Sequence, residues 1–220
     1  MRHAYGLEIP QTLEETCTKE RTALIVYDMQ VGILSQLPHG GEVLENVRQV
    51  LEAARRAQMR VFFMRHLSLP KEAAGVFQLH MALRWQRVAK VEDVQPWFLR
   101  DSPGFAIAPE LEPRPSEVVF DKITMSAFEG TPLSIALRDC GVNSFIIVGV
   151  ATEIGIDPTV RHGADLCFLP IVVRDACGPG HLEAGERALE NLVFAGDAIL
   201  TDTATISELL SKLGARAAQL

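Results

Sequence analysis

Residues 143–162 read NSFIIVGVATEIGIDPTVRH, and this stretch decides the fold. Residues 143–148 form an apolar, partly β-branched run that is typical of a buried parallel strand. From residue 154 onward, the apolar residues recur at helical spacing. The chain is therefore predicted to leave the carboxyl end of a strand, turn sharply and begin a helix. In an open α/β sheet, ligands bind at such a point.

The predicted turn offers backbone donors but no nucleophile. It contains neither cysteine nor serine, and Gly155 stands where the helix is expected to begin. The first N–H groups of a helix lack intrahelical partners, so the amides of Gly155, Ala151 and Thr152 are candidate contacts for a ligand oxygen. A glycine at this position also has a purely structural interpretation, because it permits close packing of the backbone.

The same alternation of strand and helix continues outward along the chain. The predicted strands are 22–27, 59–64, 117–120, 144–149, 170–174 and 198–200. The predicted helices are 42–57, 71–90, 132–140, 154–167, 181–194 and 205–213. This order, with short connections, favours an α/β fold built on a doubly wound, mostly parallel sheet.

Two segments fall outside that alternation. Residues 1–21 are predicted to form an N-terminal arm, followed by a single domain over residues 22–220. Segment 70–115 is too long for an ordinary connection and is interrupted by prolines, which favours a lid or an interface element. Both segments hold more apolar surface than the loops of a monomer need. We therefore expect a homo-oligomer (a dimer or tetramer), which a monomeric mass in light scattering would contradict.

Composition narrows the class of protein and the kind of partner. The 220 residues are 48% hydrophobic and 22% charged, which is ordinary for a globular protein, and the net charge of −7 argues against a nucleic-acid partner. No apolar run approaches a membrane span and no signal-peptide core is present, so we expect a cytoplasmic protein that does not bind a membrane. The four cysteines show no CxxC pair or metal-ligand spacing and are expected to be free thiols: Cys17, Cys140, Cys167 and Cys177.

Two charged side chains follow separate predicted strands. Asp28 follows strand 22–27, and Lys122 follows strand 117–120. Because parallel strands bring their carboxyl ends to one edge of a sheet, both residues are expected near the 150–155 turn. An acid and an amine in an apolar cleft are suited to proton transfer, although a purely structural salt bridge would place the same two residues there.

Four motifs resemble the isochorismatase-like, or cysteine hydrolase, superfamily. They are Tyr27-Asp28-Met29-Gln30, Lys122-Ile123-Thr124-Met125-Ser126-Ala127-Phe128, the 149–155 turn and Asp175-Ala176-Cys177. They occur in that family's order and cover the chain from about residue 22 to 204. The resemblance implies a Rossmann-like three-layer α/β/α sandwich, and a cis peptide bond between Val150 and Ala151.

The resemblance also implies a catalytic aspartate after the first strand of the sheet, a lysine after the third and usually a cysteine in the turn. Asp28 and Lys122 match the first two positions, whereas the cysteine position falls on Gly155. Family members with the cysteine hydrolyse amides through a thioester, a route that glycine cannot support. In the isochorismatase branch the aspartate instead protonates an enol ether and water completes the hydrolysis.

The match to the isochorismatase branch is incomplete. That branch usually shows an aromatic-Ala-His sequence before the glycine, where this chain has Ala151-Thr152-Glu153. A glutamate at this position fits poorly beside a dianionic substrate. Cys177 is the least implausible replacement nucleophile.

Further candidate contacts come from other strand ends and from aromatic residues. His66 and Phe128 are predicted to contact the substrate, with structural roles as their alternative, and Trp85 and Trp97 are candidate walls of the cleft. The Asp-x-His pattern of the metal-dependent relatives is missing, so no metal and no cofactor are expected.

These observations support three hypotheses. The first is a hydrolase of a small-molecule substrate that uses Asp28 and Lys122 for acid–base chemistry without a cysteine nucleophile. The second is a catalytically silent small-molecule-binding member of the family. The third is an amide or carbamoyl hydrolase whose nucleophile has been lost or replaced.

Overall fold

Six apolar segments of the chain pair side by side in one parallel sheet. The computed structural model describes residues 1–217. Its strands are β1 (Arg2–Ala4), β2 (Leu7–Ile9), β3 (Thr22–Tyr27), β4 (Arg60–His66), β5 (Val118–Lys122), β6 (Ser144–Val150), β7 (Leu169–Gly178) and β8 (Ile199–Thr201). β1 and β2 form a separate antiparallel hairpin, and the main sheet has the order β5-β4-β3-β6-β7-β8.

Helices cover both faces of this sheet. They are α1 (Leu13–Thr16), α2 (Val31–Leu34), α3 (Gly40–Arg56), α4 (Val76–Gln86), α5 (Leu133–Asp139), α6 (Asp157–Asp165), α7 (Leu182–Ala195) and α8 (Thr203–Ala217). The apolar residues of α3 recur at helical spacing and are buried with those of α8 on one face. Apolar residues of α5, α6 and α7 are buried on the other face. The predicted three-layer α/β/α sandwich is confirmed.

The central strand β3 distributes its side chains between the two layers. Leu24 and Val26 belong to the α3 side, whereas Ala23, Ile25 and Tyr27 belong to the α5 and α6 side. This alternation follows from the twofold period of an extended strand. It brings the last side chain of β3, that of Tyr27, to the side on which α6 begins.

The order of the strands changes direction between β3 and β6, which are neighbours in the sheet. Gly149 pairs with Tyr27 at that point and has a φ of 131°, a conformation that L side chains rarely adopt. A Cβ atom there would also lie 2.8 Å from the carbonyl carbon of Tyr27, so both conformation and space require glycine. This switch in strand order creates the crevice in which open α/β sheets bind ligands.

The structure differs from the sequence prediction mainly in the boundaries of two helices. The helix predicted over 71–90 is found only at α4, because Arg87 adopts a left-handed conformation that ends it. The helix predicted over 154–167 begins instead with a π-helical turn, Thr152–Ile156, which leads into α6. The remainder of segment 70–115 consists of short 3-10 turns and loops.

The expected arm contains the β1–β2 hairpin and α1. As its sequence indicates, α1 is capped by Thr12, whose side chain accepts a hydrogen bond from Glu15 N at 3.3 Å. Several apolar side chains elsewhere are largely exposed, including Val76, Phe77 and Phe194. The homo-oligomer remains a prediction. Within residues 1–217, each helix is too short or too polar to cross a bilayer.

Candidate functional site

A buried ion pair joins the carboxyl ends of two strands. Asp28 directly follows β3, and Lys122 ends β5. Lys122 Nζ donates a hydrogen bond to Asp28 Oδ2 at 2.8 Å, and both side chains are almost fully buried. Asp28 has a φ of 49°, a left-handed conformation that is uncommon for a non-glycine residue and often marks a functional position. The predicted convergence of these two residues is present in the structure.

Burial works against both charges of this pair. It raises the pKa of Asp28 to about 6, although the ammonium of Lys122 acts in the opposite direction. It also lowers the pKa of Lys122, with Asp28 opposing that change. Lys122 Nζ donates a second hydrogen bond to Thr124 O at 3.1 Å, whereas Asp28 Oδ1 is buried and has no hydrogen-bond partner within residues 1–217. One carboxylate oxygen is therefore held by Lys122, whereas the other is buried without compensation among the described residues.

Asp28 lines a cavity of about 280 Å³. Its walls are mostly apolar or aromatic: Tyr27, Ile33, Leu37, Trp85, Trp97, Phe98, Met125, Val150, Ala151 and Ile154. Polar side chains on its lining come from Asp28, Gln36 and His66. Of the described residues that line it, none is an arginine or a lysine. The cavity therefore suits an uncharged molecule with an apolar or flat portion better than an anion.

His66 is held at the cavity by the buried side chain of Gln30. Gln30 Oε1 accepts from His66 N at 2.7 Å, and Gln30 Nε2 donates to His66 O and Phe105 O, each at 3.0 Å. Burial lowers the pKa of His66 to about 3, with a further contribution from Lys122, so its imidazole is neutral. Its Nδ1 atom is buried and has no hydrogen-bond partner in the part of the chain that the structure describes. His66 thus offers a neutral polar atom beside Asp28.

The turn after β6 uses more of its own backbone donors than the sequence suggests. Its Val150–Ala151 peptide bond is cis, as the resemblance implies. Ala151 O accepts hydrogen bonds from Gly155 N at 2.9 Å, from Ile156 N at 3.2 Å and from Ile154 N at 3.3 Å. The expectation of an open Gly155 donor is therefore corrected, because the tight turn already engages that amide.

The other two predicted amide positions of the turn differ in their surroundings. Ala151 lines the cavity. Thr152 is buried, and its hydroxyl donates to Cys177 O at 2.9 Å. Among the described residues, neither Ala151 N nor Thr152 N makes a backbone hydrogen bond. Of these two residues only Ala151 lines the cavity, so its amide is the donor that a ligand oxygen could use, and the expectation for Thr152 is corrected by its burial.

Glu153 directs its charge toward another loop. Its carboxylate accepts hydrogen bonds from Gly180 N at 3.1 Å and His181 N at 2.7 Å, immediately before α7. Two backbone donors thus compensate the charge of Glu153, which is predicted from the sequence to fit poorly beside a dianionic substrate. The contact fixes the loop that supplies Gly180 to the cavity wall.

Tyr27 occupies the space in which a side chain at residue 155 would lie. A Cβ atom built on Gly155 would lie 2.5 Å from Cζ of Tyr27 and closer still to its Oη and Cε1 atoms. The ring is 1% exposed, and its hydroxyl donates to Met125 O. Lys122 Nζ lies 4.2 Å from the centroid of the ring, which is within the range of a cation–π interaction.

Phe128 is not part of the cavity wall, contrary to the prediction from sequence. Its ring stacks on Phe168 with centroids 5.6 Å apart and contacts Phe145 in the same aromatic cluster. Phe128 is 5% exposed, within the core on the α5 and α6 side. The loop after β5 carries it into that core, away from the ligand crevice.

The remaining candidates from the sequence are the cysteines, with Cys177 as a replacement nucleophile, and the groups that could bind a metal. Cys177 is buried, and burial raises the pKa of its thiol far above the ordinary value, so no thiolate forms there at neutral pH. All four cysteines are free. Residues 1–217 contain no group of three or more His, Cys, Asp or Glu side chains that could hold a metal ion.

Sequence reasoning missed several residues that line the cavity, including Tyr27, Phe98 and Met125. Tyr27 could have been found, because the alternation along β3 places it on the same side as the helix that follows the 151–156 turn. Phe98 and Met125 lie in loops without periodicity, where no local signal predicts which side chains face the ligand.

Comparison with known proteins gives one consistent family. The Isochorismatase domain matches residues 22–205. A ureidoacrylate amidohydrolase RutB from Methylorubrum extorquens is 30% identical over 217 residues, covering 90% of this chain and 86% of that protein. The protein of the same name from Acinetobacter baylyi is 28% identical over 189 residues, covering 79% and 77%, respectively.

Solved structures agree with that assignment. A cysteine hydrolase from Pseudomonas syringae superposes with a TM-score of 0.77 at 22% identity, over 90% of this chain and 96% of that one. At this identity the likeness concerns the fold alone. An isochorismatase family protein from Burkholderia thailandensis gives a TM-score of 0.71 at 28% identity, over 89% and 97%.

Proposed function

The chain belongs to the isochorismatase family of hydrolases, and we propose that it hydrolyses a small uncharged substrate with water as the nucleophile. Asp28 acts as the acid–base group and Lys122 as its electrostatic partner. The observation that carries this proposal is the difference between the two carboxylate oxygens of Asp28. Oδ2 is held by Lys122 at 2.8 Å, whereas Oδ1 is buried without a partner among residues 1–217, and Asp28 lines the cavity.

In this mechanism Asp28 relays one proton. With a pKa of about 6, its carboxyl is mostly ionised at neutral pH and can accept a proton from a bound water. The oxygen of that water forms a bond to the carbonyl carbon of the substrate. When the carbon–nitrogen bond breaks, the leaving nitrogen takes the proton back from Asp28. The amide of Ala151, which lines the cavity, receives the carbonyl oxygen as negative charge develops on it.

The proposed substrate is a neutral amide or ureide. Its lack of charge follows from a cavity that no lysine or arginine lines among the described residues. The choice of a carbon–nitrogen bond is supported by the relatives named ureidoacrylate amidohydrolase. A dicarboxylate enol ether would find little to neutralise it, because the nearest ammonium, that of Lys122, already contacts Asp28, Thr124 and the ring of Tyr27.

A substrate panel with matched variants tests the proposal. Neutral amides, neutral ureides, their carboxylated analogues and enol ethers are incubated with the unaltered chain, with Asp28→Asn and with Asp165→Asn, and products are followed by NMR. Asp165 is exposed at the far end of α6 and provides the same change of side chain away from the site. We expect kcat/KM for a neutral amide or ureide to fall by about 10²–10⁴ in Asp28→Asn only.

Three results would contradict the proposal. Full activity in Asp28→Asn would remove the acid–base role, and a clear preference for carboxylated substrates would refute the neutral class. Saturable binding of a panel member without turnover would instead identify a catalytically silent binding protein.

A further inference from the structure

Glycine is required at residue 155 because a side chain there would not fit, and not because of the backbone conformation. Its φ lies outside the left-handed region that favours glycine, so the backbone itself would accept other residues. The obstacle is the ring of Tyr27, which a Cβ atom at residue 155 would overlap. A small-to-large change at this position would therefore require the ring to move.

The ring of Tyr27 is held from several directions. Its hydroxyl donates to Met125 O, and the ammonium of Lys122 lies against its face at 4.2 Å. It is buried in the core cluster that also contains Met64 and Ile156. A ring that is 1% exposed cannot swing into solvent, so displacing it means repacking the site.

We infer that Tyr27 decides which nucleophile this site can use. Its ring fills the volume that a nucleophilic side chain at residue 155 would need, and the same ring supports the ammonium of Lys122 next to Asp28. The site is thereby committed to water as the attacking group. The inference concerns the same site as the proposed hydrolysis, but its test needs no turnover.

Restoring a nucleophile at residue 155 therefore requires two substitutions. Gly155→Cys alone would place a thiol against Tyr27, whereas the double variant Tyr27→Val, Gly155→Cys removes the ring and opens the space. The matched control is Tyr27→Phe, Gly155→Cys, which loses the hydroxyl but keeps Cε1 and Cζ of the ring, two of the atoms that a Cβ atom would overlap.

Reactivity of the new thiol provides the main measurement. Each variant is treated with iodoacetamide between pH 5 and 9, and alkylation at residue 155 is quantified by peptide mass spectrometry, which separates it from the four native cysteines. The thiolate sulfur bonds to the methylene carbon as iodide leaves. We expect alkylation at residue 155 to be at least about tenfold faster in the valine double variant than in Gly155→Cys or the phenylalanine control. The rate should rise with pH as the thiolate forms.

Thermal unfolding tests the same inference without a cysteine. We expect Gly155→Ala to lower the Tm by roughly 5 °C or more when residue 27 is tyrosine, and by less than half of that in a Tyr27→Val background. Equal alkylation rates in the three cysteine variants, or equal Tm losses with tyrosine and valine, would overturn the inference. Either result would leave the role of Asp28 unaffected, so the two proposals fail separately.

Discussion

Two buried ion pairs lie at opposite ends of the sheet and differ in how completely they are satisfied. The pair of Asp28 and Lys122 lies at the carboxyl ends of the strands, with side-chain exposures of 7% and 0%. The pair of Arg55 and Glu117 lies at the amino end of β5, with exposures of 7% and 5%. The side chains are similarly hidden from solvent, but Arg55 and Glu117 lie nearer the surface than Asp28 and Lys122. The two pairs also differ in their hydrogen bonds.

The Arg55–Glu117 pair uses both carboxylate oxygens. Arg55 Nε donates to Oε1 at 2.7 Å and its NH2 group donates to Oε2 at 2.8 Å. Arg114 N donates to Oε2 as well, and Arg55 also reaches the carbonyls of Leu111 and Glu112. Burial alone would raise the pKa of Glu117, but these hydrogen bonds hold it below its ordinary value.

The contrast teaches how a binding site can be distinguished from a structural contact. Around Glu117 the surrounding groups outweigh the cost of burial, so its charged form is favoured. At Asp28 the cost of burial outweighs the attraction of Lys122, and one oxygen has no partner among the described residues. A buried polar atom left unsatisfied calls for an explanation, and a ligand in the adjoining cavity supplies one.

The largest expected effect comes from breaking the satisfied pair. Arg55→Met should lower the free energy of unfolding by about 3–5 kcal/mol, because Glu117 would stay buried without its bidentate partner. Urea unfolding measures this loss, and Arg56→Met, an exposed neighbour on α3, is the control. Equal stability of the two variants would show that the Arg55–Glu117 pair contributes little.

An intermediate effect is expected when the site pair is removed in steps. Lys122→Met should cost about 2–3 kcal/mol, less than Arg55→Met, because a lone Asp28 can take up a proton and fewer hydrogen bonds are lost. Adding Asp28→Asn should return the free energy of unfolding to within about 1 kcal/mol of the unaltered chain, since no charge then remains buried there. A double variant as unstable as the sum of its two single changes would contradict this view of the pair.

The smallest effect concerns the pH dependence of stability. Because the pKa of Asp28 is raised to about 6 in the folded chain, its contribution to stability is complete below about pH 4 and is lost as the pH rises through 6. Glu117 has a lowered pKa, so its contribution is present above its ordinary pKa and is lost as the pH falls.

Melting curves between pH 4 and 7 measure the two opposite trends. Relative to the unaltered chain, the Asp28→Asn, Lys122→Met variant should gain roughly 2–5 °C in Tm as the pH rises across that window, whereas Glu117→Gln should show no such gain. Parallel curves for the two variants would mean that both carboxyls titrate alike.

Much of the architecture is readable from local patterns. The apolar run before Gly149 and the alternation along β3 predict two central strands, and both are present. Long helices with a clear apolar stripe, such as α3, are also found near their predicted places. The helix predicted over 71–90 is shorter in the structure: it begins at Val76 after a 3-10 turn and ends at Arg87, whose left-handed conformation gives no periodic signal in the sequence.

The sequence by itself determined the parallel sheet and the meeting of Asp28 with Lys122, because local periodicity shows strands alternating with helices, and strands so connected run parallel with their carboxyl ends at one edge. Only the tertiary structure decided that Gly155 N is already engaged, that Phe128 belongs to the core and that the ring of Tyr27 fills the space beside Gly155. Those outcomes depend on how residues distant along the chain share one volume. Close packing sets that volume, and no spacing of residues along the chain encodes it.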